Sequence, residues 1–392
     1  MKLRILVVTR NLPPLVGGME RLNWHMIAEL AKYAEVEVIG PAGAAAIGPA
    51  GVPIWEVPLT PLRRFLFSAF TMAIERSRRF RPHVVLAGSG LTAPIVLLAS
   101  KLVSAMSVTY VHGLDLTTQH LVYRRLWIPA LRRMRCIIAN SRATAVLARE
   151  VGIETARVQI VHPGVTLPDA SRDADAIARF RQRHDLGTNT LLLSVGRLSE
   201  RKGLLEFVQQ ALPTIVAKRD DVTLLIVGDV PHDALNARSQ TPEKIRCAAT
   251  QVGVESHVRF LGKVSEQELA NTFFACNIHI FPIRDIPNDP EGFGMVAVEA
   301  ASHGVPTVAF ETGGVVDAIS QGRSGYLVPP GDYSAFAQSV VDTLERGDAM
   351  SDSCQEFAKQ FTWTKFGQQL FEYIVARIDM ANHVDEIRYG KG

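Results

Sequence analysis

The chain has 392 residues, of which 47% are hydrophobic and 21% are charged, and its formal net charge is +3. This composition is typical of a globular protein and excludes an intrinsically disordered, collagen-like or low-complexity chain. The length predicts two domains or one large domain.

Short apolar runs alternate with helix-length segments through the first half of the chain. Residues 19–33 and 128–134 predict helices, and the Gly-, Ala- and Pro-rich stretch 40–53 predicts a surface loop. The N-terminal run is too short for a secretory signal and is assigned to a first buried strand. The β-branched apolar runs predict strands at 5–8, 36–39, 84–86, 108–111, 137–139 and 159–161.

The same alternation returns in the second half of the chain. Uniformly apolar strands separated by helices are typical of parallel sheets covered on both faces, and two such series predict an α/β protein with two Rossmann-like domains. We predict domains at 1–170 and 171–365, followed by an amphipathic helix from 366. The second series of predicted strands is 190–195, 223–227, 258–260, 278–281, 307–309 and 325–328.

The cysteines and the apolar runs limit the cellular context. The four cysteines are far apart, which predicts neither a disulfide framework nor a zinc site and favours a reducing compartment. The uncharged stretch 84–100 has 17 residues, fewer than the roughly 20 that span a bilayer, and contains glycine and proline. We therefore expect no transmembrane helix.

Two loops of the first half suit a ligand. Gly17 and Gly18 separate the first strand from the first helix, where glycine lets backbone amides approach a phosphate or a sugar. Their spacing is not the dinucleotide fingerprint, and a plain tight turn is the alternative. His112 directly follows a strand. The carboxyl end of a parallel strand faces the crevice in which α/β proteins bind ligands. The alternative is a structural histidine at a strand end, capped by a neighbouring group.

Two cations follow the first strand of the second half. Arg197 lies just past the strand, and Lys202 comes five residues later, close to a helix start. A guanidinium fork and an ammonium beside a helix amino end suit a diphosphate, while ordinary surface charge is the alternative. We assign Arg201 to the surface, because adjacent residues tend to point in different directions.

The most informative stretch runs from Glu291 to Glu299. A Gly-Phe-Gly loop leads into a helix, so the backbone amides of residues 293–296 favour an anion before that helix. A carboxylate at each end could accept hydrogen bonds from vicinal hydroxyls, which suits a sugar nucleotide. A helix with a buried glutamate is the alternative.

The acidic residues give no metal site. Asp173 and Asp175 match an Asp-x-Asp metal clamp only superficially, because they lie in the linker and away from any strand end. The sequence also lacks a histidine pair at helical spacing, a nucleophile elbow and a P-loop.

Taken in order, these motifs resemble those of the retaining family 4 glycosyltransferases of the GT-B fold, also called group 1 glycosyl transferases. The resemblance covers nearly the whole chain and is strongest over 190–332. It rests further on Asn140-Ser141, His162-Pro163-Gly164-Val165, Gly228-Asp229, Phe260-Leu261-Gly262, Gly313-Gly314 and Gly325-Tyr326-Leu327-Val328-Pro329.

The resemblance implies two Rossmann-like domains that face each other across a cleft, with the final helix, 366–392, packing back on the first domain. It implies a nucleotide sugar on the C-terminal domain and an acceptor on the N-terminal one. The implied catalytic set is His112, Arg197, Lys202 and Glu291. The implied donor-binding residues are Gly17, Gly18, Arg197, Lys202, Val264, Glu291, Phe293, Gly294, Met295, Val296 and Glu299.

Within that set, the resemblance gives Arg197 and Lys202 to the diphosphate, Glu291 to the donor sugar and Glu299 to the ribose. The main chain near Val264 approaches the base, and His112 lines the face of the transferred sugar. Because the cations stabilise the leaving phosphate, we expect neither a metal nor another cofactor. Configuration is retained without an enzymic nucleophile, and no side-chain base is assigned.

The expected reaction moves a hexose, mannose-like or glucose-like, from GDP or UDP to a glycolipid, lipid-linked oligosaccharide or polysaccharide acceptor in cell-envelope glycan synthesis. A GT-B-like sugar-nucleotide epimerase and a non-catalytic sugar-nucleotide-binding subunit are the alternatives. A Rossmann oxidoreductase is disfavoured because the dinucleotide fingerprint is missing.

The net charge of +3 conceals an asymmetry. Residues 1–165 hold 20 Lys and Arg against 9 Asp and Glu, whereas the remainder holds 22 against 30. Arginines interleaved with apolar residues in 63–67, 76–81 and 123–135 suit anionic lipid, with a solvated basic face as the alternative. No motif supports nucleic-acid binding. We expect a cytoplasmic protein, peripheral on the cytoplasmic face of the inner membrane.

Overall fold

The computed structural model describes residues 2–168, 173–230 and 239–389, with side chains described as far as residue 380. Its contacts divide the chain into two compact units. The N-terminal unit comprises residues 1–164 and 363–392, and the C-terminal unit comprises residues 165–362. The predicted boundary between residues 170 and 171 lies outside the described residues.

Each unit contains one sheet. The sheet of the N-terminal unit has seven strands, and that of the C-terminal unit has six. The strands are β1 (Arg4–Val8), β2 (Glu35–Pro41), β3 (Ile54–Val57), β4 (Val84–Ala87), β5 (Met106–Val111), β6 (Cys136–Ala139), β7 (Val158–Ile160), β8 (Thr190–Val195), β9 (Val222–Val227), β10 (Val258–Gly262), β11 (Ile278–Phe281), β12 (Thr307–Phe310) and β13 (Gly325–Val328).

All strand pairs are parallel, and both sheets are doubly wound. The N-terminal sheet has the order β3-β2-β1-β4-β5-β6-β7, and the C-terminal sheet has the order β10-β9-β8-β11-β12-β13. In each sheet the strand order therefore reverses once: between the neighbours β1 and β4 in the first sheet, and between β8 and β11 in the second. Ligands of open α/β sheets bind beside such a switch point, at the carboxyl ends of the strands.

The predicted strands are present, because their apolar side chains are buried on both faces of each sheet. Ile5 and Leu6 on β1, and Leu191 and Leu192 on β8, point to opposite faces and are fully buried. The sequence analysis missed β3, which is an edge strand of four residues in which only Val57 is buried. An edge strand need not be apolar on both faces, so it lacks the pattern by which the others were identified.

The helices cover the sheets. The described part of the chain holds no helix long and apolar enough to cross a membrane. The helices are α1 (Gly18–Tyr33), α2 (Leu62–Phe80), α3 (Ala93–Leu102), α4 (Leu114–Thr117), α5 (Leu121–Arg133), α6 (Arg142–Glu150), α7 (Ala174–Arg183), α8 (Leu204–Gln210), α9 (Leu212–Lys218), α10 (Pro242–Gln251), α11 (Glu266–Ala275), α12 (Met295–Ser302), α13 (Val315–Ala318), α14 (Tyr333–Glu345), α15 (Ser351–Ala358) and α16 (Trp363–Tyr389).

The final helix, α16, belongs to the N-terminal unit and packs against α1. The ring of Trp363 stacks on that of His25, with 4.0 Å between their centroids. At Gly367 the two helices come so close that an added Cβ would overlap the Cβ of Glu29. The packing of the last helix on the first unit therefore depends on a glycine.

Replacing Gly367 by Ala tests this close approach. The new methyl group meets the rigid stem of Glu29 and forces α16 away from α1. We expect the free energy of unfolding to fall by about 1–3 kcal/mol, the usual cost of overpacking. Thermal melts should show the loss for Gly367→Ala but not for the exposed neighbour Gln369→Ala. An unchanged melting temperature in Gly367→Ala would contradict the prediction.

Candidate functional site

The candidate site of the C-terminal unit lies at the switch point of its sheet. β8 ends at Val195 and leads into Arg197, while the neighbouring strand β11 ends at Phe281 and leads into the loop that carries Glu291. Because the carboxyl ends of parallel strands share one edge, the two loops meet there. This topology brings together residues that are separated by 89 positions in the chain.

The predicted cation and the predicted carboxylate are in direct contact. Nζ of Lys202 donates a hydrogen bond to Oε2 of Glu291 at 2.9 Å. The ammonium also lies 4.8 Å from the centre of the Phe281 ring, a cation–π contact with the end of β11. Lys202 closes a short 3-10 turn, and Gly203, at φ 66°, connects that turn to α8.

Arg201 also contacts Glu291, and its assignment to the surface was wrong. Its side chain is only 9% exposed, and Nη1 lies 2.9 Å from Oε2 of Glu291 and 3.0 Å from the carbonyl oxygen of Pro290. Adjacent residues of a turn do point in different directions, but the 289–291 loop wraps around the turn and meets both of them. The residues next to Arg201 in the sequence do not indicate that the 289–291 loop packs around this turn.

Arg197 completes the cluster without a direct contact. Its side chain is exposed, and its charge nevertheless acts on both Lys202 and Glu291. It therefore extends the positive field of the site towards solvent, where an incoming anion would first meet it.

The charges of this cluster set the protonation state of Glu291. Burial alone would raise the pKa of its carboxyl group, but Arg201, Lys202 and Arg197 together lower that pKa to about 2. Burial lowers the pKa of the Lys202 ammonium, and Glu291 opposes this effect. Glu291 is thus an ionised acceptor at neutral pH, held by donors on one oxygen.

The helix that follows Glu291 presents free amides at its start. Gly294, at φ 93°, caps α12, and a Cβ at this position would lie 2.9 Å from the Phe281 ring. The N–H of Ala297 donates to the carbonyl oxygen of Gly294 at 2.9 Å, so the amides of Met295 and Val296 precede the first hydrogen bond of the helix. These amides and the helix dipole favour an anion there.

A glycine pair after β12 supports the Glu291 loop from behind. The N–H of Gly314 donates to the carbonyl oxygen of Glu291 at 2.9 Å. A Cβ at Gly314 would overlap the carbonyl oxygen of Gly292, and one at Gly313 would lie 2.8 Å from the carbonyl oxygen of Glu291. The two loops approach backbone to backbone, which only glycine permits.

The other predicted donor residues of this unit have different surroundings. Phe293 is buried in the hydrophobic core, so only its main chain is available to a ligand. Glu299 is half-buried one turn inside α12. Val264 lies between β10 and α11 and packs against the core that contains Phe273. The structure describes these placements, and their roles towards a donor stay predictions.

His112, Gly17 and Gly18 belong to the N-terminal unit. His112 follows β5, is 8% exposed, and has Nε2 3.0 Å from the carbonyl oxygen of Gly88, beyond the end of β4. A carbonyl oxygen only accepts, so Nε2 of the ring is the donor of this hydrogen bond. Gly17 and Gly18 are exposed at the start of α1.

The Asp-x-Asp pair of the linker has a local structural role. Asp173 caps α7, and its Oδ1 accepts hydrogen bonds from the amides of Asp175 and Ala176 at 3.0 and 3.1 Å. Within residues 2–168, 173–230 and 239–380, no group of three or more His, Cys, Asp or Glu side chains is arranged to hold a metal ion.

Named relatives match this chain over nearly its whole length or over part of it. The chain is 27% identical to a "GDP-mannose-dependent alpha-(1-6)-phosphatidylinositol monomannoside mannosyltransferase" of Mycolicibacterium smegmatis, over 95% of this chain and 98% of that protein. It is 31% identical to a "D-inositol 3-phosphate glycosyltransferase" of Streptomyces scabiei, over 58% of this chain and 50% of that protein.

The fold is shared with solved glycosyltransferases. A crystal structure of HepE of Anabaena in complex with UDP matches with a TM-score of 0.79 and 22% identity, over 96% of this chain and all of that one. WaaG, "a glycosyltransferase involved in lipopolysaccharide biosynthesis", matches with a TM-score of 0.68 and 17% identity over 95% and 99% of the two chains. At such identities the likeness shows the GT-B fold alone, as the sequence predicted.

Two family models match, one in each unit. Residues 16–168 match Glycosyltransferase Family 4, and residues 189–346 match Glycosyl transferases group 1. Together they span most of the chain, in the order that the sequence motifs predicted. The chain therefore belongs to the family 4, or group 1, glycosyltransferases of the GT-B fold.

Proposed function

We propose that this glycosyltransferase is a retaining, metal-independent hexosyltransferase that uses a nucleoside-diphosphate sugar and a glycolipid acceptor. The observation that carries the proposal is the contact of Lys202 with Glu291 at the sheet's switch point, beside the free amides of α12. Cations and amides suit a diphosphate, and the carboxylate suits sugar hydroxyls.

The chemistry follows from the charge that develops on the leaving group. As the glycosidic bond breaks, negative charge accumulates on the β-phosphate. Arg197, Lys202 and the amino end of α12 stabilise it, so that no metal ion is required. Glu291 accepts hydrogen bonds from the sugar, and Glu299 accepts them from the ribose, while the main chain near Val264 approaches the base. The departing phosphate accepts the proton of the acceptor hydroxyl.

The donor that we propose to test first is GDP-mannose. The full-length relative of M. smegmatis carries GDP-mannose in its name, whereas the HepE structure contains UDP. The name of the same relative, a phosphatidylinositol monomannoside mannosyltransferase, supports a glycolipid acceptor. A thermal-shift panel of GDP-mannose, UDP-glucose and UDP-N-acetylglucosamine, followed by turnover with glycolipid acceptors, tests these assignments.

One helix layer of the N-terminal unit supports attachment to anionic lipid. α3 packs against both α2 and α5. The three helices hold ten Arg or Lys residues and one acidic residue, Glu75. Large apolar side chains are exposed among these charges, including Phe67 at 71%, Leu121 at 70% and Leu126 at 59%. Basic residues around exposed apolar ones suit the cytoplasmic face of a membrane, where a glycolipid acceptor would be found.

Removing either cation of the diphosphate site should reduce turnover. We expect Arg197→Ala and Lys202→Ala to lower kcat by about 100–1000-fold, the usual loss when one group that stabilises transition-state charge is removed. Lys359→Ala, an exposed residue of the same unit, is the matched control. Activity is followed as nucleoside diphosphate released with acceptor, and melting curves check folding. Wild-type turnover in both variants would remove the diphosphate assignment.

Metal independence and retention have direct tests. We expect turnover to be unchanged after treatment with EDTA, because the protein's cations take the phosphate charge. The anomeric configuration of the product, read by NMR, should equal that of the donor. A loss of activity that Mg²⁺ or Mn²⁺ restores, or an inverted product, would contradict the proposal.

Vesicle co-sedimentation tests the membrane surface. We expect binding to vesicles containing anionic lipid, little binding to neutral vesicles, and weaker binding with added salt. Replacing Leu121 and Leu126 by Ser should weaken binding without loss of stability, since both side chains are exposed. The exposed Val252→Ser, in the C-terminal unit, is the control. Equal binding to neutral and anionic vesicles would remove the electrostatic argument.

A further inference from the structure

Two cations meet at a single oxygen of Glu291. Arg201 Nη1 and Lys202 Nζ both lie 2.9 Å from Oε2. The carboxylate is 12% exposed, so its charge depends on partners within the protein. A carboxylate oxygen can accept two hydrogen bonds, so both cations can pair this one oxygen at the same time.

The two cations differ in how firmly they are held. Arg201 is fixed on several sides: Nη1 donates to the carbonyl oxygen of Pro290 at 3.0 Å, Nε lies 3.4 Å from Oδ1 of Asp289, and its carbonyl oxygen accepts the amide of Arg284 at 2.8 Å. Its side chain is 9% exposed. Lys202 is 18% exposed and has a single ammonium on a flexible stem, so it can turn towards a ligand.

We propose that Arg201 is a positioning residue that keeps Glu291 in place and anionic when Lys202 turns to the donor diphosphate. The proposal rests on the proposed function, because a diphosphate must draw Lys202 away. Arg201 itself stays with the 289–291 loop, since leaving would break its bond to Pro290. The site then has one movable cation for the leaving group and one fixed cation for the sugar-binding carboxylate.

The surroundings of Glu291 explain why the fixed cation matters. Without Arg201, departure of Lys202 would leave this buried oxygen without a cationic partner, and the carboxyl group would take up a proton. A protonated Glu291 accepts fewer hydrogen bonds from a sugar. The charged and titratable groups that face it or its cations are Arg197, Arg201 and Lys202 from the loop after β8, Asp289 from its own loop and His279 from β11.

The test compares Arg201→Met with Arg201→Lys, using Arg183→Met, an exposed arginine that pairs with Glu268, as the control. We measure GDP affinity by calorimetry, and both kcat and kcat/KM against pH with the best donor of the panel. We expect Arg201→Met to lower kcat/KM by about 10–100-fold, the worth of a charge-assisted hydrogen bond, with less than about a threefold change in GDP affinity.

The pH profile separates positioning from a general loss of structure. Wild-type kcat should show no acid limb from Glu291 between pH 5 and 7, because Arg201 keeps the carboxyl ionised and its pKa is about 2 before the donor binds. Arg201→Met should gain an acid limb in kcat, which reports the donor complex, because Lys202 has turned away there and burial raises the pKa of Glu291, while Arg201→Lys keeps a cation and a flatter profile. In a Glu291→Gln background, Arg201→Met should add little.

Each outcome decides between the two proposals. If the wild type binds no nucleoside diphosphate, the proposed function fails. If it binds GDP and Arg201→Met keeps the wild-type kcat/KM and pH profile, only the role of Arg201 fails. A large loss of GDP affinity would also overturn that role, since Arg201 would then act on the diphosphate. If Arg201→Met does not fold, Arg201→Gln decides: reduced kcat/KM with unchanged GDP affinity supports the role, and a wild-type kcat/KM and pH profile contradict it.

Discussion

Burial of both faces of its parallel sheets is the constraint on which the rest of this structure depends. A strand such as β4 consists wholly of buried apolar side chains, so it has no position at which a polar group could serve a ligand. Chemistry is therefore confined to the loops at the strand ends. Where the strand order reverses, between β8 and β11, two such loops meet, at the position where open α/β sheets bind ligands.

At that edge a second requirement appears, because a buried carboxylate must be paired. Glu291 is nearly enclosed, and the burial that would neutralise it is outweighed by three cations around it. The same cations suit a phosphate. One cluster therefore offsets the free-energy cost of burying the Glu291 carboxylate and, in the proposed function, binds the negatively charged donor. A structural need and the catalytic need of the proposed function coincide in the residues after β8.

The features predicted correctly are those that a local sequence pattern identifies. The features missed depend on contacts with distant parts of the chain or lack such a pattern. Lys202 and Glu291 were predicted because glycines and polar residues follow apolar strands, and they prove to be in contact. Arg201 was missed because no neighbour in sequence shows that the 289–291 loop folds over it. The edge strand β3 and the helix capped by Asp173 were missed because neither carries a continuous apolar run.

The backbone contact between the loop of Glu291 and the Gly313–Gly314 pair has a consequence for how donor preference can vary within this fold. The backbone of Glu291 is held by peptide groups that pack against each other, while the side chain of Arg201 pairs with its carboxylate. The side chains of residues 284–290 lie outside that backbone contact and precede the same carboxylate. Substitutions among them would therefore change the surroundings of Glu291, the sugar pocket of the proposed function, while its backbone stays where it is.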